Sequence, residues 1–160
     1  LFFADSFITF TDRRLFMSNY LDLSQQALTL NRDLLINTLQ TLNITEVRAN
    51  YQGGGDSGDV MDFDVIPESL SPLLHSEKLD YHSVRGEFVD GHYQYLSSNQ
   101  PTPLNEALTD FVLSWIGMHH CGWENNEGGQ GVMIVDVLSN GFDLNHTEFY
   151  VESTQYEYQL

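Results

Sequence analysis

Cysteine, positive charge and long apolar runs are all scarce in this sequence, and each scarcity excludes something. The single cysteine, Cys121, rules out an internal disulfide and any multi-cysteine zinc site, and fits a reducing compartment. No apolar run approaches the roughly eighteen residues that a membrane-spanning helix needs, and the opening residues lack the pattern of a secretory signal. The chain therefore reads as a soluble, cytoplasmic protein with no membrane partner. Lysine and arginine number 6 against 23 aspartates and glutamates, a formal net charge of -17. The cations are Arg13, Arg14, Arg32, Arg48, Lys78 and Arg85, so Gly86 to Leu160 holds eleven acids and no Lys or Arg. Such a half repels nucleic acid and anionic lipid and attracts cations or a basic protein surface.

With 160 residues and 41% hydrophobic content, the chain can bury one sizeable core, and a single domain is expected. Met17 resembles a natural start, which makes residues 1–16 a leader or an extra element, with Phe7, Ile8 and Phe10 suited to a short strand. Residues 17–160 then form the domain proper. From Asp22 to Leu42 the residues Leu23, Ala27, Leu30 and Leu34, with Leu28, Leu35, Leu39 and Leu42 beside them, keep helical spacing, and Asp22 or Ser24 suits the cap. Asn43 ends that helix. Val47, Ala49 and Tyr51 then alternate with polar residues, a glycine turn follows, and Met61, Phe63 and Val65 alternate with Asp62 and Asp64, which is the pattern of a hairpin.

Residues 67–103 read as a variable, irregular segment holding one strand over EFVDGHYQYL. Thr102 and Pro103 are expected to start a second helix whose buried face runs through Leu104, Ala107, Leu108, Phe111, Val112, Trp115 and Ile116. GVMIVDVL, the turn Ser139-Asn140-Gly141 and FDLNHTEF predict a second hairpin, with YVESTQYEY as a further strand. The expected fold is an α+β two-layer sandwich: a mainly antiparallel sheet with two principal helices on one face.

Two glycine-rich loops carry the chemistry. GGGDSGD contains the GDSG of a serine-protease nucleophile, but that chemistry needs a base, an orienting acid and a larger double-barrel fold. A tight turn accounts for the same letters, with Asp56 and Ser57 as turn residues and Asp56 and Asp59 as hard oxygen donors for a divalent cation. The second loop, CGWENNEGGQG, places Trp123 at the core edge between Gly122 and the polar Glu124, Asn125 and Asn126. Glu124 there is a candidate ligand or general base beside His119 or His120. Zinc is disfavoured, since adjacent histidines at a helix end point apart and no CxxC or HxxxH accompanies them. His146, in phase with Phe142 and Leu144, reads as a packed histidine at the core edge, able to join Asp56 and Glu124 if the strand ends near the loops.

The motifs GGGDSGDV at Gly53 to Val60, GWENNEGGQG at Gly122 to Gly131, Asp136 after VMIV, and LNHTEF around His146 resemble an uncharacterised bacterial family, known only as a domain of unknown function and met on plasmids and in mobile or phage-derived DNA. Its members look like a GSGDSG-type loop, a helix, a GWENNDGxxG-type loop and a strand carrying an HNER-type motif. The chain departs from that pattern at Thr147 and Phe149, where the family tends to Asn and Arg. The resemblance implies no reaction. It implies that both loops serve one binding site, formed by Asp56, Ser57, Trp123, Glu124, Asn125 and His146, to which Asp59 adds a candidate ligand from the chemistry of the first loop. The leading functional expectation is an acidic, non-enzymatic binding protein, an inhibitor or regulator engaging a basic, nucleic-acid-binding protein surface, with no cofactor and no direct nucleic-acid contact. The alternatives are a small metal-dependent hydrolase using a divalent cation at the two loops, and a subunit of a larger assembly.

Overall fold

A computed structural model describes residues 10–160, with side chains from residue 19 onward. The order of elements is α1 (Phe10–Thr41), β1 (Glu46–Ile66), a 3-10 turn (Glu68–Leu70), α2 (Leu73–Ser76), β2 (Lys78–Val89), β3 (His92–Pro103), α3 (Leu104–His119), β4 (Asn125–Asp136) and β5 (Gly141–Glu148). The strands form two antiparallel sheets, one ordered β1-β4-β5 and one made of β2 and β3. The fold is an α+β sandwich, as the sequence pattern predicts.

Helix α1 begins well before Asp22 and runs unbroken through Met17, so neither Asp22 nor Ser24 caps it. Phe10 lies in this helix; Phe7 and Ile8 lie outside the described residues. The inward stripe is Leu28, Leu35, Ile36 and Leu39, while Leu30, expected inside, is half exposed. Asn43 takes a left-handed φ of 59° and turns the chain so that Ile44 packs inside, the role such residues play after a helix C-terminus. Asn31 is a polar residue buried in this apolar face. Its side chain donates to the His82 carbonyl at 2.8 Å and accepts from the His82 amide at 2.9 Å. Both halves of the amide are thus satisfied, which offsets the cost of burying it and ties α1 to β2.

The extended run β1 doubles back on itself. The Thr45 amide donates to the Ile66 carbonyl at 2.8 Å, and the Asn50 side chain donates to Asp62 at 2.5 Å and Asp64 at 3.2 Å. The expected hairpin is therefore present, with Val47, Ala49, Tyr51 and Val65 inside and Asp62 and Asp64 outside. Met61 is the exception: it is exposed. Opposite β1, Met133 and Val135 of β4 close the core against Phe111, Val112 and Ile116 of α3.

Residues 67–103 are ordered, not irregular. After two short helical turns they form the long hairpin β2–β3, paired from Lys78↔Pro103 to Val89↔His92. Asp90 and Gly91 make its turn with φ of 51° and 84°, the left-handed pair that a two-residue hairpin loop requires. The stretch read as one strand contains this reversal at its centre.

Helix α3 buries the face expected of it, with Trp115 packed partly against the core. Its start differs from expectation: Pro103 precedes the first helical residue, the Leu104 amide donates to the Glu77 carbonyl at 2.9 Å, and the Thr102 hydroxyl bonds Gln100 instead of capping. The β4–β5 turn forms at Ser139-Asn140, with Asn140 at φ 56°. The Asp136 carboxylate accepts from the Leu138 and Ser139 amides there, and its bonds with Ser139 hold its pKa below the usual carboxylate value. Arg32 of α1 reaches the same turn, donating to the Asn140 carbonyl at 2.6 Å and lying over the Phe142 ring. The tail after β5 is exposed and forms no strand, so the expected extra strand over YVESTQYEY is absent. Among the described residues no helix is long and apolar enough to cross a membrane.

Candidate functional site at the two glycine loops

The tip of the β1 hairpin and the loop after α3 meet because a tryptophan needs a flat bed. A Cβ added at Gly53 or Gly58 would run into the Trp123 ring, so only glycines let the indole lie across the hairpin tip. Trp123 is buried, and its amide donates to the His120 carbonyl at 3.1 Å, closing the helix end beneath it. The ladder between the two segments runs from Glu46↔Asp136 to Asp56↔Asn125, with a bulge between Gly53 and Gly55. The GDSG and GWENN motifs are thus neighbours across one sheet.

Between hairpin tip and helix end lies an open cleft of about 460 Å³, floored by Leu113, Gly117 and Trp123 and edged by Asp56, Ser57 and Glu124. Of the predicted site residues, Asp56, Ser57, Trp123 and Glu124 share the cleft. Asn125 stands beside it as the ladder partner of Asp56. Asp59 does not line it; its carboxylate accepts from the neighbouring Val60 amide at 2.7 Å. His146 does not line it either. No histidine lines the cleft that holds Ser57, so the serine-protease reading has no base in place.

His146 sits on the far side of the same tryptophan. Its ring meets Trp123 edge-on and lies nearly parallel to Tyr51, with centroids 6.2 and 5.8 Å away. Its side chain is 4% exposed, as the phase of β5 predicts. Nδ1 is 2.8 Å from the Tyr51 hydroxyl, which in turn is 3.4 Å from the Asn145 carbonyl. Burial raises the Tyr51 pKa to about 12 and lowers that of His146. The neighbouring His120 adds to the fall and Glu148 opposes it.

A model of a family of unknown function, DUF6878, matches residues 27–160. The chain belongs to that family. It matches no curated protein and no solved structure. Both glycine loops and β5 of this DUF6878 chain lie inside the matched span.

The fold brings to His146 three residues that the sequence reading placed elsewhere or left out: Tyr51, read only as a strand residue, His120, read as a neighbour of Glu124, and Glu148. His120 stacks on His146 with ring centroids 4.1 Å apart, and its Nδ1 is 3.1 Å from Glu148 Oε1. His119 turns the other way, onto Trp115, so the two adjacent histidines do point apart as expected. The signal for Glu148 was in the sequence: His146 and Glu148 are two apart on a strand and share a face. The signal for His120 was not, because the helix end and strand end meet only in the folded chain.

Proposed function

We propose that this chain is an acidic, non-enzymatic binding protein whose uncovered sheet face docks on a basic protein surface. The helices pack on the side of the β1-β4-β5 sheet that carries Val47, Ala49 and Met133. The opposite side carries Asp62, Asp64 and Asp143 with Asn50 and Asn145, around the half-buried Val132 and Ile134 of β4. The observation that carries the reading is the fate of Arg48, the one cation on that face among the described residues: it pairs with Glu46, 2.6 Å away. The exposed carboxylates keep their field, and a partner offering lysines and arginines is recognised by charge complementarity. Surfaces that bind nucleic acid have this character, and carboxylates can occupy the places of phosphates on them. A role as inhibitor or regulator in a mobile-element setting agrees with the resemblance of its loop motifs.

The test is affinity capture from a lysate at low salt, repeated with added salt and with duplex DNA as competitor. A basic partner released by both, and bound at least about tenfold more weakly by an Asp62→Asn, Asp64→Asn, Asp143→Asn chain, supports the reading. Capture that is indifferent to the triple change, or no basic partner at low salt, overturns it. A second reading, a small metal-dependent hydrolase at the two loops, draws support from Asp56 and Glu124 edging one cleft. It requires that Asp56→Asn and Glu124→Gln abolish a metal-stimulated hydrolysis of model esters or phosphoesters.

A further inference from the structure

His146 Nε2 is a buried polar atom with no hydrogen-bond partner among the described residues. A buried group of that kind costs free energy unless something meets it. What faces it is a donor set: Nε2, a His120 ring nitrogen and a Glu148 carboxylate oxygen all lie within 4.8 Å of one another. His120 Nδ1 stands 3.1 Å and His146 Nε2 3.6 Å from Glu148 Oε1. Donor atoms around a tetrahedral zinc, with bonds of about 2.0–2.2 Å, are about 3.3–3.6 Å apart. The two separations, 3.1 and 3.6 Å, lie close to that range.

The surroundings of Nδ1 suit the same role. His146 Nδ1 is 2.8 Å from the Tyr51 hydroxyl, and that hydroxyl is 3.4 Å from the Asn145 carbonyl. In the tautomer that carries its proton on Nδ1, the ring donates to Tyr51, Tyr51 donates to Asn145, and the Nε2 lone pair is free for a cation beside His120 and Glu148. Histidines that bind metals are held in this manner, with the second nitrogen donating to a neighbour that fixes tautomer and ring orientation.

We propose that His120, His146 and Glu148 form a binding site for a divalent transition ion of the zinc class, with Tyr51 as its positioning residue. Two imidazoles and one carboxylate suit zinc better than magnesium or calcium, which take oxygen donors. Three protein ligands leave a fourth position, on the exposed side of Glu148, for water or a group from a bound molecule. This site is separate from the Asp56 and Glu124 cleft and does not depend on the partner-docking role of the outer sheet face.

The test is titration of the untagged chain with zinc and with cobalt as its coloured substitute, at about 0.15 M salt and in excess magnesium to occupy the surface carboxylates. The expected result is saturation at one ion per chain, with the visible bands of four-coordinate cobalt, bleached by zinc. Glu148→Gln, at an exposed position that leaves folding intact, and His120→Asn each weaken binding at least about tenfold, and Tyr51→Phe weakens it by about tenfold. His119→Asn leaves it unchanged. Absence of saturable binding, or Glu148→Gln and His120→Asn chains that bind as tightly as the native one, overturns the site. A Tyr51→Phe chain of native affinity overturns the positioning role.

Discussion

The β2–β3 hairpin and the β1-β4-β5 sheet are both antiparallel, and β2, β3 and β4 have equal lengths, yet they spend their side chains differently. In the larger sheet every second residue of β1 and β4 near the helices is fully buried, from Val47, Ala49 and Tyr51 to Met133 and Val135. In β2 only Leu79 and Tyr81 are buried, and from Gly86 outward to the turn every residue of the hairpin is exposed except Tyr95. The larger sheet is held by packing on one face. The hairpin is held at its base by α1 through Asn31 and by a few apolar side chains, and its outer half by its own ladder and by Tyr95, whose ring lies 4.9 Å from that of Tyr20 on α1. A ladder exposed to water on both faces contributes little beyond the hydrogen bonds it exchanges with solvent, so the outer hairpin opens at lower free energy than the packed sheet.

The sharpest way to break this comparison is at matched glycines. Gly128, beside the two-loop site, has φ +72° and its added Cβ would overlap the Gly53 backbone, whereas Gly91 at the hairpin tip has φ +84° with open space around it. Gly128→Ala is expected to cost about 4 kcal/mol, combining left-handed strain with a backbone clash, and Gly91→Ala about 1 kcal/mol from strain alone. Denaturant unfolding of both variants measures the gap, and equal losses would mean that the two turns are equally free. Next comes the core against the arm: Met133→Ala empties a fully buried site, while Leu96 on β3 is half exposed. Expected losses are about 3 kcal/mol for Met133→Ala and within about 0.5 kcal/mol for Leu96→Ala.

The smallest effect separates base from tip within the hairpin. Burial, and then the charge of Asp110, raise the Tyr81 phenol well above its ordinary value of 10.0. The folded state therefore holds this proton more tightly than the unfolded chain does. Its contribution to stability is complete below the ordinary tyrosine value and is lost as pH climbs beyond it. Tyr81→Phe is expected to flatten part of the alkaline fall in the unfolding midpoint, read by titrating the midpoint from neutral pH into the alkaline range. An unchanged alkaline fall would place Tyr81 in water.

Where a side chain must choose between core and solvent, the residue pattern carried the answer except at Leu30 and Met61, which are exposed. The β1 hairpin, the α3 face and the buried phase of His146 were legible because alternation and helical spacing follow from which face meets apolar neighbours. The outer hairpin was not legible that way, since strands wet on both faces have no apolar period to read. Its only local mark was Asp90-Gly91, and that pair was hidden inside what reads as one continuous strand. The start of α1 was misread for a related reason: Asp22 and Ser24 are good caps in isolation, but a cap is used only where the helix actually begins.

The sequence by itself determined the charge imbalance, the α+β class and the two glycine loops, because each depends on residue type and short-range spacing. Only the tertiary structure decided that Trp123 lies on Gly53 and Gly58, that Asp56 and Glu124 edge one cleft, and that His120 from a helix end meets His146 and Glu148 from a strand. Those meetings join positions far apart in the chain, and their geometry is set by how α3 packs against the sheet, which no local pattern encodes.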